Sequence, residues 1–159
     1  MVTSSSGLSV FIGNGNNTFQ PRVDYTTGSA ALFVTTGYVN GDAHVDVAVV
    51  CQGDNTVRIH LGNGNGTLQP SLVIPVSPQP TCAVLADFDG DGTTDLAVGT
   101  GGGGAPQDPS FPAKLLDFLP GNGDGSFGAR VAFDIQYPGN GRGQIAAGQV
   151  DADLEDVRV

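Results

Sequence analysis

Residues 86–98 read Ala-Asp-Phe-Asp-Gly-Asp-Gly-Thr-Thr-Asp-Leu-Ala-Val (ADFDGDGTTDLAV). Aspartates stand at 87, 89, 91 and 95, and Gly90 and Gly92 let the backbone fold back so that the carboxylates converge. Four like charges that close repel one another unless a cation sits among them. Calcium fits best, because it takes oxygen ligands at roughly 2.3–2.6 Å in flexible geometry, and Asp-x-Asp-x-Asp-Gly is a turn that supplies them. The expected ligands are the side chains of Asp87, Asp89, Asp91 and Asp95, with Thr93 contributing its backbone carbonyl. Without a metal the same stretch is an Asp/Gly-rich turn.

The loop is similar to the first half of an EF-hand, but the second half is missing. An EF-hand closes with a bidentate Glu at position 12 between two helices, whereas position 12 here is Val98, inside the apolar run Leu96-Ala97-Val98. The flanks, CAVLA before and DLAVGT after, read as strands. The stretch is therefore expected to join two antiparallel strands.

The rest of the chain repeats this unit. Val34 to Val50 aligns with Ala83 to Gly99 at an offset of 49 (34 to 83), and Ile145 to Val159 is a degenerate third copy with one loop residue fewer. A second unit recurs between them: VFIGNGNNTFQP from Val10, IHLGNGNGTLQP from Ile59 and FLPGNGDGSFGA from Phe118, at offsets of 49 (10 to 59) and 59 (59 to 118). The Asn-Gly pairs tolerate positive φ and mark tight turns; Asn65, Asn122 and Asp124 in these turns are weaker candidates for offering oxygens to a ligand. Strands are expected at about 8–12, 22–27, 30–37, 45–51, 56–61, 71–77, 82–86, 94–99, 114–119, 130–136, 144–148 and 155–159.

Four short strands per period of this length is the pattern of a β-propeller blade. The expected fold is all-β, one repeat domain over 1–159 with about three blade-equivalents: a half blade at 8–27, blades at 30–77 and 82–136, and a half blade at 144–159. A Gly/Pro-rich insertion at 99–112 lengthens the second blade at its rim; no GK[ST] follows it, so it does not read as a phosphate loop.

Composition supports strands. The chain of 159 residues holds 25 Gly and 10 Pro but one Met, one Glu (Glu155) and one Lys (Lys114), so good helix formers are nearly absent. The net charge of −10 comes mostly from loop aspartates, and six Lys and Arg scattered along the chain make no basic face, which excludes nucleic acid as the expected partner. No run is long and apolar enough to span a membrane, and the start MVTSSSGLSV, whose serines 4–6 read as a mobile terminus, lacks the pattern of a signal peptide.

The motif D-x-D-G-D-G-x-x-D-L-A-V followed by GNG-x-G-[ST]-[FL] resembles the FG-GAP/VCBS repeat family, the repeat of integrin-α-like propellers. That resemblance implies calcium-stabilised propeller blades used outside the cell for adhesion and for recognition of protein or carbohydrate ligands. The chain departs from the family pattern in two loops. In the first, Tyr38 takes the first ligand position and leaves Asn40, Asp42, the His44 carbonyl and Asp46 as a degenerate site; the last keeps Asp151, Asp153 and Asp156 as a weak one. Three blade-equivalents are fewer than a propeller of about 4–8 blades needs, so the sequence reads either as part of a longer propeller or as a subunit of a homodimer or other homo-oligomer that closes the ring.

Catalytic chemistry is sparse. His44 sits in a loop and His60 on the polar face of a strand, no G-x-S-x-G elbow is present, and neither Cys51 nor Cys82 has a reactive-looking setting. The two cysteines read equally as buried thiols or as a disulfide between successive blades. The reading is a non-enzyme with structural calcium. The alternatives are a propeller-based polysaccharide lyase or hydrolase with His60 or Arg58 beside the 87–95 aspartates, and a purely architectural repeat.

Overall fold

The computed structural model describes residues 1–4, 7–101 and 115–135, and within them all regular structure is β. Three antiparallel sheets follow one another along the chain. The first holds β1 (Val2–Ser4), β2 (Gly7–Val10) and β3 (Val23–Thr26). The second is a meander of β4 (Ala31–Gly37), β5 (Asp46–Cys51), β6 (Thr56–His60) and β7 (Leu72–Pro75). The third repeats it with β8 (Pro80–Ala86), β9 (Asp95–Thr100), β10 (Leu115–Leu119) and β11 (Val131–Asp134).

The internal repeat is reproduced residue by residue. Gly37 opposes Asp46 as Ala86 opposes Asp95, and the β-bulge between Ala31 and Phe33 recurs between Pro80 and Cys82. Val47 faces His60 as Leu96 faces Leu119. In the two outer pairings, Ile59 faces Leu72 as Phe118 faces Val131.

Apolar residues are buried on both sides of the middle sheet. Val47, Val49 and Cys51 pack with Leu8 and Val10 of the first sheet. On the other face Ala48, Val50, Val57 and Ile59 pack with Ala83, Leu96, Val98 and Leu119 of the third. Each fully buried Val, Leu or Ile contributes about 1.5–3 kcal/mol, so these two layers are what hold the sheets in a stack. This double burial is why β5 (DVAVVC) is buried along its whole length rather than in alternation. The outermost strand β11 is exposed at every residue.

Two expectations change. Val2–Ser4 is a strand paired to β2 (Val2 to Ser9, Ser4 to Gly7), so Ser4 is not part of a mobile terminus. His60 is only 2% exposed, because the face that alternation marks as polar lies against the first sheet. Cys51 and Cys82 are both buried thiols. The strands expected at 144–148 and 155–159, and nearly all of the 99–112 insertion, lie outside the described residues. No helix among the described residues is long and apolar enough to cross a membrane.

Candidate metal centre

The 87–94 loop connects β8 to β9, and its shape is set by the carboxylates reaching back to its own backbone. Asp87 accepts N–H bonds from Gly90 (2.7 Å) and Gly92 (3.0 Å), one on each oxygen. Asp89 accepts one from Asp91 N (3.1 Å). Gly90 and Gly92 sit at φ of 79° and 88°, a left-handed conformation that costs glycine little and other residues more.

Asp95, the first residue of β9, is fully buried, and each of its oxygens accepts one backbone N–H: Phe88 at 2.8 Å and Gly121 at 2.8 Å. It thus ties the start of the loop to the GNG turn that follows β10. Side-chain oxygens of Asp87, Asp89 and Asp95 lie within 4.8 Å of one another. Two ligands on opposite sides of a calcium ion are separated by roughly twice the 2.3–2.6 Å bond, so this spacing suits such an ion. Each carboxylate oxygen has two lone pairs; the backbone bonds leave acceptor capacity free.

The other two expected ligands, Asp91 and Thr93, are hydrogen-bonded to each other. Asp91 is outside the convergent group: its Oδ1 accepts from Thr93 N (2.7 Å) and lies 2.5 Å from the Thr93 hydroxyl. That hydroxyl, and the Thr93 backbone N–H after it, hold the Asp91 carboxyl below its usual pKa. The Thr93 hydroxyl also lies 3.2 Å from the Gly121 carbonyl.

In the 38–46 loop the expected ligands bond to one another and to backbone N–H groups. Asp42 accepts from Asn40 Nδ2 (2.9 Å) and from His44 N (2.8 Å), and His44 Nδ1 stands 3.5 Å from its other contact oxygen, Oδ2. The His44 backbone N–H is the main reason the Asp42 carboxyl is lowered in pKa. Asn40 Oδ1 is buried without a hydrogen-bond partner. Asp46 makes the same pair of bonds as Asp95, to Val39 N and Gly62 N, both at 2.8 Å. Among the described residues, Asp87, Asp89 and Asp95 are the one group of three acidic, histidine or cysteine side chains that converge. Asp151, Asp153 and Asp156 lie outside the described residues.

The turns after β2, β6 and β10 share one network. Asn14, Asn63 and Asn122 donate their backbone N–H to Thr18, Thr67 and Ser126 carbonyls, and their side-chain amides to the same residues' hydroxyls. The oxygens of Asn16, Asn65 and Asp124 accept from the backbone N–H of those residues. Asn65 and Asp124 are therefore engaged in closing their turns.

The double role of Asp46 and Asp95 is what a motif reading misses. A signal for it exists in the sequence: when the first loop loses Asp from position 38, it still keeps Asp46 and, after the next strand, Gly62.

Residues 38–98, spanning both loops, match the family model of the FG-GAP-like repeat. No curated protein and no solved structure matches the chain. The chain thus carries an FG-GAP-like repeat over residues 38–98, and the convergent aspartates close that repeat at its C-terminal end.

Proposed function

We propose that this chain is a calcium-stabilised β-propeller module, its sheets acting as blades, that serves in recognition or adhesion outside the cell and binds a protein or carbohydrate ligand. The observation that carries the reading is the convergence of Asp87, Asp89 and Asp95 at a spacing suited to a hard divalent cation. Asp87, Asp89 and Asp95 would hold the ion, which would neutralise their mutual repulsion and fix the β8–β9 connection. Its role is structural, so that binding free energy becomes folding free energy. The resemblance of the FG-GAP-like repeat to propeller adhesion modules is what supports the extracellular setting.

Stacking of equivalent sheets supports the propeller. The third sheet repeats, on its outward side, the positions with which the second sheet packs onto it: Leu116, Phe118 and Phe133 stand where Val57, Ile59 and Ile74 stand one repeat earlier. Val131 and Phe133 are about half exposed there, 49% and 50%. An apolar sheet face of this kind calls for another sheet, supplied by further repeats or by a second copy in a homo-oligomer.

Calorimetric melting in excess calcium and in excess chelator tests the proposal. The melting temperature is expected to rise with calcium for the wild type and to be insensitive to calcium in Asp89→Ala. A wild-type melting temperature equal in both buffers overturns the metal reading.

A further inference from the structure

The contact between the first and second sheets is closed by one histidine. His60, the last residue of β6, is 2% exposed and faces Tyr25 of β3, with ring centroids 6.0 Å apart in an edge-on arrangement. Its Nδ1 lies 3.1 Å from the Gln69 backbone carbonyl. A carbonyl only accepts, so Nδ1 carries the proton, and the neutral ring leaves Nε2 as a bare lone pair. Nε2 is buried and has no hydrogen-bond partner. The Tyr25 hydroxyl is itself engaged, accepting the Leu68 backbone N–H at 3.0 Å, so the same aromatic side chain ties the first sheet to the turn after β6.

The repeat shows what the position ordinarily requires. The equivalent residue one repeat later is Leu119, 3% exposed in the core between the second and third sheets. A hydrocarbon therefore suffices for this packing, and the middle sheet has an ionisable group in its place.

We propose that His60 is an acid-sensitive latch between the first and second sheets: neutral, it packs against Tyr25 and keeps β1–β3 docked; protonated, it loosens that contact.

The surroundings give a proton no compensation. Protonation would create an Nε2–H donor with nothing to receive it, and an unsatisfied buried donor on a charged ring is unfavourable. Around His60, β5 opposes it with Val47, β2 contributes Leu8 and Val10, and β7 (LVIP) has no titratable side chain. From β3 the titratable neighbour is Tyr25, while Asp24 is held by Ser9 and Arg22. On β6 itself the charged neighbour is Arg58, a cation paired with Asp54 at 3.7 Å. Burial first, and Arg58 in addition, push the imidazole below its ordinary value of 6.5, against the Gln69 carbonyl, which raises it.

The sign follows from linkage. The unfolded or undocked chain binds the proton more tightly than the docked one, so stability is full at neutral pH and falls as pH drops from about 6.5 through the lowered docked-state value.

The test combines two readouts between pH 7.5 and 5 in calcium-free buffer. The first follows the His60 imidazole by NMR in the wild type, where a midpoint below 6.5 is expected; a midpoint at or above 6.5 overturns the latch. The second compares amide exchange, corrected for intrinsic rates, in β2 and β3 with that in β8 to β10. At the acid end, protection in β2 and β3 is expected to fall at least tenfold relative to the third sheet. In His60→Leu, the residue the repeat itself uses, the difference should vanish; equal loss in both regions, or an acid response retained in His60→Leu, contradicts the proposal. The wild-type readouts stand even if that variant folds poorly.

Discussion

The loops at 38–46 and 87–95 occupy the same place in successive sheets and share one residue that does the same job. Asp46 and Asp95 are fully buried, and each gives one oxygen to the N–H at the start of its loop and the other to a glycine N–H in the turn beyond the next strand. One turn bond also recurs, from His44 N to Asp42 as from Thr93 N to Asp91; the rest differs. In the later loop Gly90 and Gly92 curl the chain so that Asp87 and Asp89 meet Asp95. In the earlier one Asn40 and His44 satisfy Asp42 locally, and Ala43 takes a positive φ of 58° where the later loop has Gly92. The lesson is that the clamp belongs to the fold and the acidic cluster is an addition to it. One loop keeps the clamp without the cluster.

The largest expected effect falls on what the loops share. Asp46→Ala strands two buried N–H groups and Asp95→Ala two partly buried ones, at up to about 1–3 kcal/mol apiece, hence at most roughly 2–6 kcal/mol by urea denaturation. If Asp46→Ala proved silent, the clamp would not be a common feature. The next effect separates the loops: calcium at a hundredfold excess over its dissociation constant should stabilise the wild type by about 2.7 kcal/mol, and Asp89→Ala should remove that gain while leaving chelated stability nearly unchanged.

Smaller still is the turn glycine. A side chain at Gly62 or Gly121 would collide with the carbonyl oxygen of Val45 or Thr94, so either Gly→Ala change should cost roughly 1–3 kcal/mol. Similar losses at both positions would show that the two turns are equally tight. The smallest effect is Asp42→Ala, an exposed carboxylate with local partners, expected within about 0.5 kcal/mol of wild type and without influence on the calcium response. A calcium response lost in Asp42→Ala would blur the distinction between the loops.

Much of this organisation is written openly in the sequence, because a repeat is a comparison of the chain with itself. The offsets of 49 and 59 locate β2 to β11 to within about two residues, and the register and bulges then recur with them. β1 escapes because Val2–Ser4 is short, polar at two of three positions and outside the repeat. The candidate site is only partly legible. The spacing of the aspartates identifies the loop, but a carboxylate ligates a cation and accepts an N–H with the same oxygens, so the dual use of Asp95 is invisible before its neighbours are placed. Asp91 Oδ1 is engaged by Thr93 two residues on, a local contact that ligand spacing alone does not reveal. The burial of His60 has a tertiary cause: alternation distinguishes two faces of a strand, and stacking buries both.

Calcium titration by isothermal calorimetry, on the wild type and on Asp89→Ala, bears most directly on the division between the two loops. The account predicts a tight site in the wild type that is absent from Asp89→Ala and retained in Asp42→Ala. No heat of binding in the wild type, or a tight site that survives Asp89→Ala, would contradict it.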